Sequence, residues 1–422
     1  MSRNHTWKCV ALIALLLILL TACHKASAGA DLPPAETPDL SDEGLYSPEP
    51  TPTPTPTPEE GPIVISMVGD CTLASSQYND DFERVVGTDY TWPFAKVKEI
   101  LAADDFTIAN LEGSFSDRQL SASATFYFCA PTAYAQILSE GSVECATMGN
   151  NHTGEFGSEG IRDTEAALDA VGVAHQTSGV GTVYEVRDMK LGVYVSPFGP
   201  SESNVRTGVQ ALKNAGADII IVCVHWGIEG SYRPTSSQTA AAYAAIDAGA
   251  DVVCGTHPHV LQKTEEYHGG YIFYSLGNFS FGGNTNPRDR DTVIAQVIVE
   301  KGEDGGFAVT GMELIPCALS SKSSSNNYQP IPYEEGSKEY DRTLSKLDGT
   351  FTGPDLVVDY SDLHKNDQDP EETASPEPTT PAEPEPEPTP PSDTGTEVPP
   401  AEPVAPPENT GSSDVQPPAT ES

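Results

Sequence analysis

Five short apolar runs in this chain each stop at, or just before, a residue that can bind a cation or move a proton. "IVISMVGD" (63–70) closes on Asp70, and "FTIANLEG" (106–113) runs into Glu112. "VECATMGNN" (143–151) leads to Asn150, Asn151 and His152. "ADIIIVCVHWG" (217–227) carries His225, and "DVVCG" (251–255) is followed by "THPHV" with His257 and His259. Short apolar runs bounded by turn residues read as buried strands. If the strands are parallel, their carboxyl ends lie side by side, and the loops beyond them form the ligand crevice of an α/β sheet. Segments far apart in sequence would then deliver their polar residues to one place.

Helical patterns lie between the runs. The spacing predicts helices over "PFAKVKEILAADD" (93–105), "PTAYAQILSEG" (131–141), "NVRTGVQALKNAG" (204–216) and "SSQTAAAYAAIDAGA" (236–250). A further helix is expected over "SEGIRDTEAALDAVG" (158–172), with Ser158 as N-cap and Gly172 as its stop. "KLGVYVSPF" (190–198) adds a strand. "GYIFYSLGNFSF", "DTVIAQVIVE" and "GFAVTGMELIPC" read as successive antiparallel strands. Alternation followed by a run of strands implies a layered α/β domain with mixed sheets.

The ends of the chain do not share this pattern. "SPEPTPTPTPTPEE" and the Pro-, Glu-, Thr- and Ser-rich stretch after about residue 361 lack the apolar side chains that would offset the entropy of ordering. The Pro-Thr repeat favours a semi-rigid polyproline II spacer. The expected organisation is a signal peptide (1–22), a tether (23–60), one domain (61–360) and a disordered acidic tail (361–422). Arg3 and Lys8 precede "VALIALLLILL", which is too short to span a membrane. The run ends in Leu20-Thr21-Ala22-Cys23, which resembles a lipobox, so Cys23 is expected to be lipidated and to anchor an extracytoplasmic protein to the cell membrane. Of the net charge of −40, about half belongs to residues 61–360, which hold 18 Lys and Arg against 39 Asp and Glu. That balance disfavours nucleic acid and anionic membrane surface as partners. Cys223 and Cys254 sit in apolar runs and read as core residues. Export would permit a disulfide, but no pair can be chosen from sequence.

Carboxylates, an amide oxygen and imidazoles make a mixed oxygen and nitrogen set, which suits Zn²⁺, Mn²⁺ or Fe rather than Ca²⁺. If "HPH" is extended, His257 and His259 project to the same side. Glu112 could bridge two ions about 4 Å apart, as carboxylates do in two-metal hydrolases. Each piece taken alone has an ordinary reading. "HPH" can be a turn, "GNNH" an Asn-rich turn, His225 a hydrogen-bonded strand end, and Glu112 or Asn110 a cap. What those readings leave unexplained is why ligand types stand at five successive strand ends.

"GDCTLA", "NLEGSFSD", "GNNHTGEFGSEGIRDTEAALDAVGV", "VCVHWGIEG", "AGADVVCGTHPHVLQKTE" and "YIFYSLGNFSF" resemble, in order, the bacterial capsule-synthesis CapA family of poly-γ-glutamate synthesis proteins. That family is similar to the calcineurin-like metallophosphoesterases, which implies a four-layer α/β/β/α sandwich. The resemblance implies one divalent metal near Asp70, Glu112 and His259. It implies a second near Glu112, Asn151, His225 and His257, with Glu112 bridging and His152 as general acid. Two departures stand out. Thr72 occupies the position of a phosphoesterase histidine, and Glu112 stands where an Asp is usual. The first site is therefore short of a ligand.

Arg162, Trp226, Tyr274 and Asn278 lie close in sequence to the candidate loops, with Arg162 and Asn278 as candidate substrate contacts. Two functions follow from the resemblance. One is a metal-dependent hydrolase acting on poly-γ-glutamate or a related envelope polymer. The other is a non-catalytic, polymer-binding or scaffold component working with membrane subunits of the capsule machinery. No "GxxxxGK[ST]" loop is present to supply synthetase chemistry.

Overall fold

The protein is described from a computed structural model, which covers residues 61–124 and 126–356. The expected signal segment, Cys23, the expected tether and the expected disordered tail lie outside the described residues. Among those described, no helix is long and apolar enough to cross a membrane.

The first half of the domain runs β1 (Ile63–Thr72), α1 (Asp81–Val86), α2 (Lys98–Leu101), β2 (Phe106–Leu111), β3 (Ser114–Phe115), β4 (Cys129–Ala130), α3 (Gln136–Glu140), β5 (Cys145–Met148), α4 (Gly157–Ala170) and β6 (Ala174–Thr177). Then come β7 (Val180–Val186), β8 (Met189–Val195), α5 (Glu202–Asn214), β9 (Ile219–His225), α6 (Ser236–Ala248) and β10 (Val252–Thr256). The described part finishes with β11 (Thr264–Tyr267), β12 (Gly270–Phe273), β13 (Asn278–Phe281), β14 (Asp291–Lys301), β15 (Phe307–Ala318), β16 (Ile331–Pro332) and α7 (Lys338–Leu347).

Two sheets result. The larger has the order β16-β15-β14-β1-β2-β5-β6, with β13 also beside β1. In it β1, β2, β5, β6 and β13 are parallel. The smaller has the order β11-β12-β10-β9-β8-β7, with β8, β9, β10 and β12 parallel. Ile65 and Met67 of β1 meet Val193, Ile221 and Val252 in the core between the sheets. The outer face of the larger sheet is covered by Phe82, Leu101, Leu138 and Leu168 from the first four helices. Val205, Val209 and Ala245 of α5 and α6 cover the outer face of the smaller one. This is the expected four-layer α/β/β/α sandwich. Strands buried on both faces explain why the sequence shows continuous apolar runs rather than alternation.

Several expectations need correction. The 93–105 segment is not one helix but a 3-10 turn at Trp92–Phe94 followed by α2. Tertiary bonds override its periodicity: Trp92 Nε1 donates to Asn327 O at 2.9 Å, and Asp105 accepts from Val64 N at 2.8 Å. Ser158 does not cap α4; it lies in the first turn and accepts from Arg162 Nη1 at 3.2 Å. The late strands are not all antiparallel. β12 runs parallel to β10 and β13 parallel to β1, because residues 274–277 cross from one sheet to the other. That crossing needs two glycines beside it. A Cβ on Gly69 would lie 1.9 Å from Gly277 O, and one on Gly255 would lie 2.2 Å from Tyr274 O. All six described cysteines are free, with Cys223 and Cys254 buried in the inter-sheet core as expected.

At the sheet end where β2 begins, Glu144 accepts from Thr107 N at 2.7 Å and Asp104 from Thr107 Oγ1 at 2.7 Å. Burial pushes Glu144 from 4.5 up to about 7, against the bond from Thr107 and with help from Asp104. Between those values the folded chain keeps a proton that the unfolded chain has released. Stability from this group is therefore present below pH 4.5 and lost as pH rises through 7. Glu144→Gln keeps an acceptor without the proton. Its melting temperature should fall less than that of wild type between pH 5 and pH 8; equal falls would contradict the assignment.

Candidate metal centre

The parallel strands deliver their carboxyl ends to one crevice, and eight of the site residues picked from sequence meet there. Asp70, Glu112 and His225 are almost wholly buried, His257 is buried, and His259 is one-fifth exposed. The middle of the cluster is Glu112 Oε1. It stands 3.5 Å from His225 Nε2, 3.7 Å from His152 Nε2 and 3.8 Å from His259 Nε2. This oxygen is buried and has no hydrogen-bond partner. A buried carboxylate oxygen without a partner is costly. Around it, His257 Nδ1 faces His225 Nε2 at 3.1 Å, and Asn151 Oδ1 reaches the same nitrogen at 2.8 Å. Lone-pair atoms crowded on one point repel unless a proton or a cation lies between them, so the donor set fits a divalent ion.

Among the described residues, two groups have ligand atoms within 4.8 Å of one another: Glu112 with His257 and His259, and Asp70 with Glu112 and His225. Glu112 belongs to both, as the resemblance implies. The two groups overlap rather than divide the ligands, since His259 Nδ1 also stands 3.2 Å from Asp70 Oδ2, and His257 and Asn151 both face His225.

The surrounding bonds hold these side chains in place. Asn110 Nδ2 donates to Asp70 Oδ1 at 2.8 Å, and Asn150 Nδ2 donates to Asn110 Oδ1 at 3.1 Å. Thr256 Oγ1 lies 2.9 Å from His225 Nδ1, so the other ring nitrogen faces Glu112. Asn278 Oδ1 and Asp70 Oδ2 stand 2.8 and 3.2 Å from His259 Nδ1, with the same effect on that ring. Outer partners of this kind set tautomer and ring orientation at metal sites.

The "HPH" segment is not extended. His257 has φ 98° and His259 φ 57°, both in the left-handed region that non-glycine residues rarely occupy. The backbone winds rather than alternating, and it brings both rings to the cluster at a centroid separation of 5.9 Å. Strain of this sort costs about 1–3 kcal/mol per residue and collects at functional sites.

The charges are unequal. Burial together with the neighbouring His225 and His259 lowers His257 to about 3, so its imidazole is neutral. Burial opposes charge on His259 as well, but Glu112 and Asp70 outweigh it and raise this ring to about 10. Burial likewise acts against the Glu112 carboxylate, yet His259, His225 and His152 hold it well below the usual range. His152 is raised because its bond to Glu155 and the charge of Glu112 overcome its burial.

Other sequence candidates lie elsewhere. Arg162 is exposed on α4 and pairs locally with Glu159 and Ser158. Trp226 and Tyr274 are packed in the core under α6, where Trp226 Nε1 donates to Tyr274 O at 2.8 Å. Asn278 does enter the cluster, as the partner of His259. Sequence reasoning passed over three neighbours. Glu155 lies 2.6 Å from His152 Nδ1, and Thr256 touches His225. Phe198, about half exposed, has its ring 5.0 Å from His257 and 5.7 Å from His225. Position at a strand end was the available signal for Thr256, and its place in "GNNHTGEF" for Glu155.

Comparisons with known proteins find relatives by sequence and looser likenesses by structure. The family model described as "Bacterial capsule synthesis protein PGA_cap" matches residues 64–188 and 176–283. The chain is 28% identical over 297 residues to the capsule biosynthesis protein CapA of Bacillus anthracis, covering 63% of this chain and 69% of that one. It is 27% identical over 328 residues to the PGA biosynthesis protein CapA of Bacillus subtilis, covering 71% and 84%. Among solved structures, the NAD nucleotidase of Haemophilus influenzae aligns loosely, with TM-score 0.36 and 12% identity over 68% of this chain and 63% of that one. TT1561 of Thermus thermophilus aligns with TM-score 0.34 and 10% identity over 56% and 94%. The matched region takes in every ligand candidate from Asp70 to His259, and the chain belongs to the bacterial capsule synthesis protein family.

Proposed function

We propose that this chain is an extracytoplasmic component of poly-γ-glutamate capsule biosynthesis or export, anchored through Cys23. Its Glu112 cluster holds one or two divalent ions, Mn²⁺, Zn²⁺ or Fe, for hydrolytic processing of the polymer or a related envelope polymer. The observation that carries the metal reading is Glu112 Oε1, buried and without a partner among three histidine nitrogens. The capsule comes from the name of the Bacillus anthracis relative, and the polymer from the PGA in the name of the Bacillus subtilis one. Membrane subunits of the capsule machinery are the expected protein partners, and nucleic acid is not.

Asp70, Glu112, Asn151, His225, His257 and His259 would hold the ions, which supply Lewis acidity toward a phosphoryl or carbonyl oxygen. His152 has the proton-transfer role. Glu155 Oε1 holds its Nδ1 at 2.6 Å, and Phe128 packs on the ring with centroids 4.8 Å apart. Nε2 is left facing the cluster, where it can give a proton to a leaving group. Glu155 is itself fixed, since Oε2 accepts from Phe128 N at 3.0 Å.

His152→Gln should keep its metal and lose polymer processing about 10²–10⁴-fold. Elemental analysis and a polymer-length assay on the same sample check this. Full processing by the variant would contradict a catalytic role for His152, whereas no processing by metal-loaded wild type would support the second reading, a non-catalytic polymer-binding component. One observation favours that second reading: a hydroxyl, Thr72, stands inside the cluster where the resemblance expects a ligand.

A further inference from the structure

Thr72 lacks the chemistry of a strong ligand, yet it touches the residue on which the cluster is built. Its side chain is fully buried, and its Oγ1 donates to Glu112 Oε2 at 3.0 Å. Both partners are held by their backbones. Thr72 O accepts from Gly282 N at 2.7 Å, and Glu112 N donates to Cys71 O at 3.0 Å. Thr72 also pairs with Phe281 across β1 and β13, so the hydroxyl is placed by the sheet rather than by a loop.

The two oxygens of Glu112 are therefore not equivalent. Oε2 is spent on Thr72. Oε1 is the buried, unpartnered atom that faces His152, His225 and His259. We propose that Thr72 is a positioning residue that makes Glu112 a one-oxygen ligand, with Oε1 for the cation and Oε2 kept by the hydroxyl. The inference rests on the metal reading above and adds to it. Any two ions would share Oε1 instead of being spanned by both oxygens. Ca²⁺, which takes many oxygens and often a bidentate carboxylate, gains least from such a ligand.

Full chain stripped with chelator, in wild-type, Thr72→Val and Thr72→Ser forms, is titrated with Mn²⁺ and with Zn²⁺ by calorimetry, and folding is followed by circular dichroism. Thr72→Val keeps the shape and removes the donor, so binding should weaken about 10–100-fold, the usual effect of losing an outer partner. Thr72→Ser should bind like wild type. Wild-type affinity in a folded Thr72→Val variant overturns the inference and leaves the metal reading standing. Failure of wild type to bind either ion overturns both. If Thr72→Val does not fold, a Mn²⁺-loaded wild-type crystal structure decides. Oε1 on the ion with Oε2 still on Thr72 supports the proposal, and both oxygens on the ion overturn it.

Discussion

Glu112→Gln should fold and bind no metal, falling from one or two ions per chain to none. The substitution keeps the shape of a side chain that is fully buried. The Thr72 hydroxyl, 3.0 Å from Oε2, will draw the amide oxygen toward itself. That leaves the amide NH₂ where Oε1 now stands, 3.5 to 3.8 Å from three histidine nitrogens. An acceptor at the middle of the cluster becomes a donor, with no lone pair to offer and no charge to offset that of a cation. Because Glu112 belongs to both ligand groups, the loss should reach every ion rather than one of two. Elemental analysis after gel filtration measures this, and a full metal complement in the variant would contradict the assignment.

Lys346→Met should cost about 3–5 kcal/mol of unfolding free energy, the range found when one partner of a buried ion pair is removed. Lys346 has a side-chain exposure of 2%. Its Nζ bonds Asp289 at 2.8 and 2.6 Å and Asp291 at 2.7 Å, beneath the rings of Tyr232 and Phe351. Asp291 also takes a two-pronged contact from Arg342 at 2.7 and 2.6 Å and a bond from Tyr333 at 2.9 Å. Burial opposes the Asp291 charge, but Arg342 and Lys346 outweigh it and keep its pKa below the ordinary value. Without Lys346, the Asp289 carboxyl is left in the interior with no ammonium beside it. Urea titration reads the loss, and Lys346→Met with Asp289→Asn should recover part of it. A loss under about 1 kcal/mol would mean that the cluster is solvated. Arg233, which bonds Asp355 at 2.6 Å, fastens the end of the described chain to the loop that follows His225.

The layered α/β domain and its crevice were legible because parallel strands covered on both faces must be continuously apolar, and such strands end together; the four-layer order came from the family resemblance. Asp70, Glu112, His225, His257 and His259 stand at such ends, and the resemblance singles out Asn151 within "GNNH". What could not be read depends on contacts between distant segments. The helix expected over 93–105 breaks because Trp92 and Asp105 bond to residues elsewhere in the fold. β12 and β13 are parallel because residues 274–277 change sheets, a path that local pattern does not encode. The winding of "HPH" is strained, and strain is invisible to a reading based on propensity. Arg162 was drawn in by nearness in sequence, whereas its helix turns it toward Glu159. Thr72 was noticed as a missing ligand, and only its distance to Glu112 shows what a hydroxyl does there.

The most direct test is a crystal structure of the protein grown with Mn²⁺ or Zn²⁺, with anomalous scattering recorded at the absorption edge of the metal. An anomalous peak within bonding distance of Glu112 Oε1, with ligands among Asp70, Asn151, His225, His257 and His259, is the predicted result. No peak at that cluster in crystals soaked to saturation would contradict it.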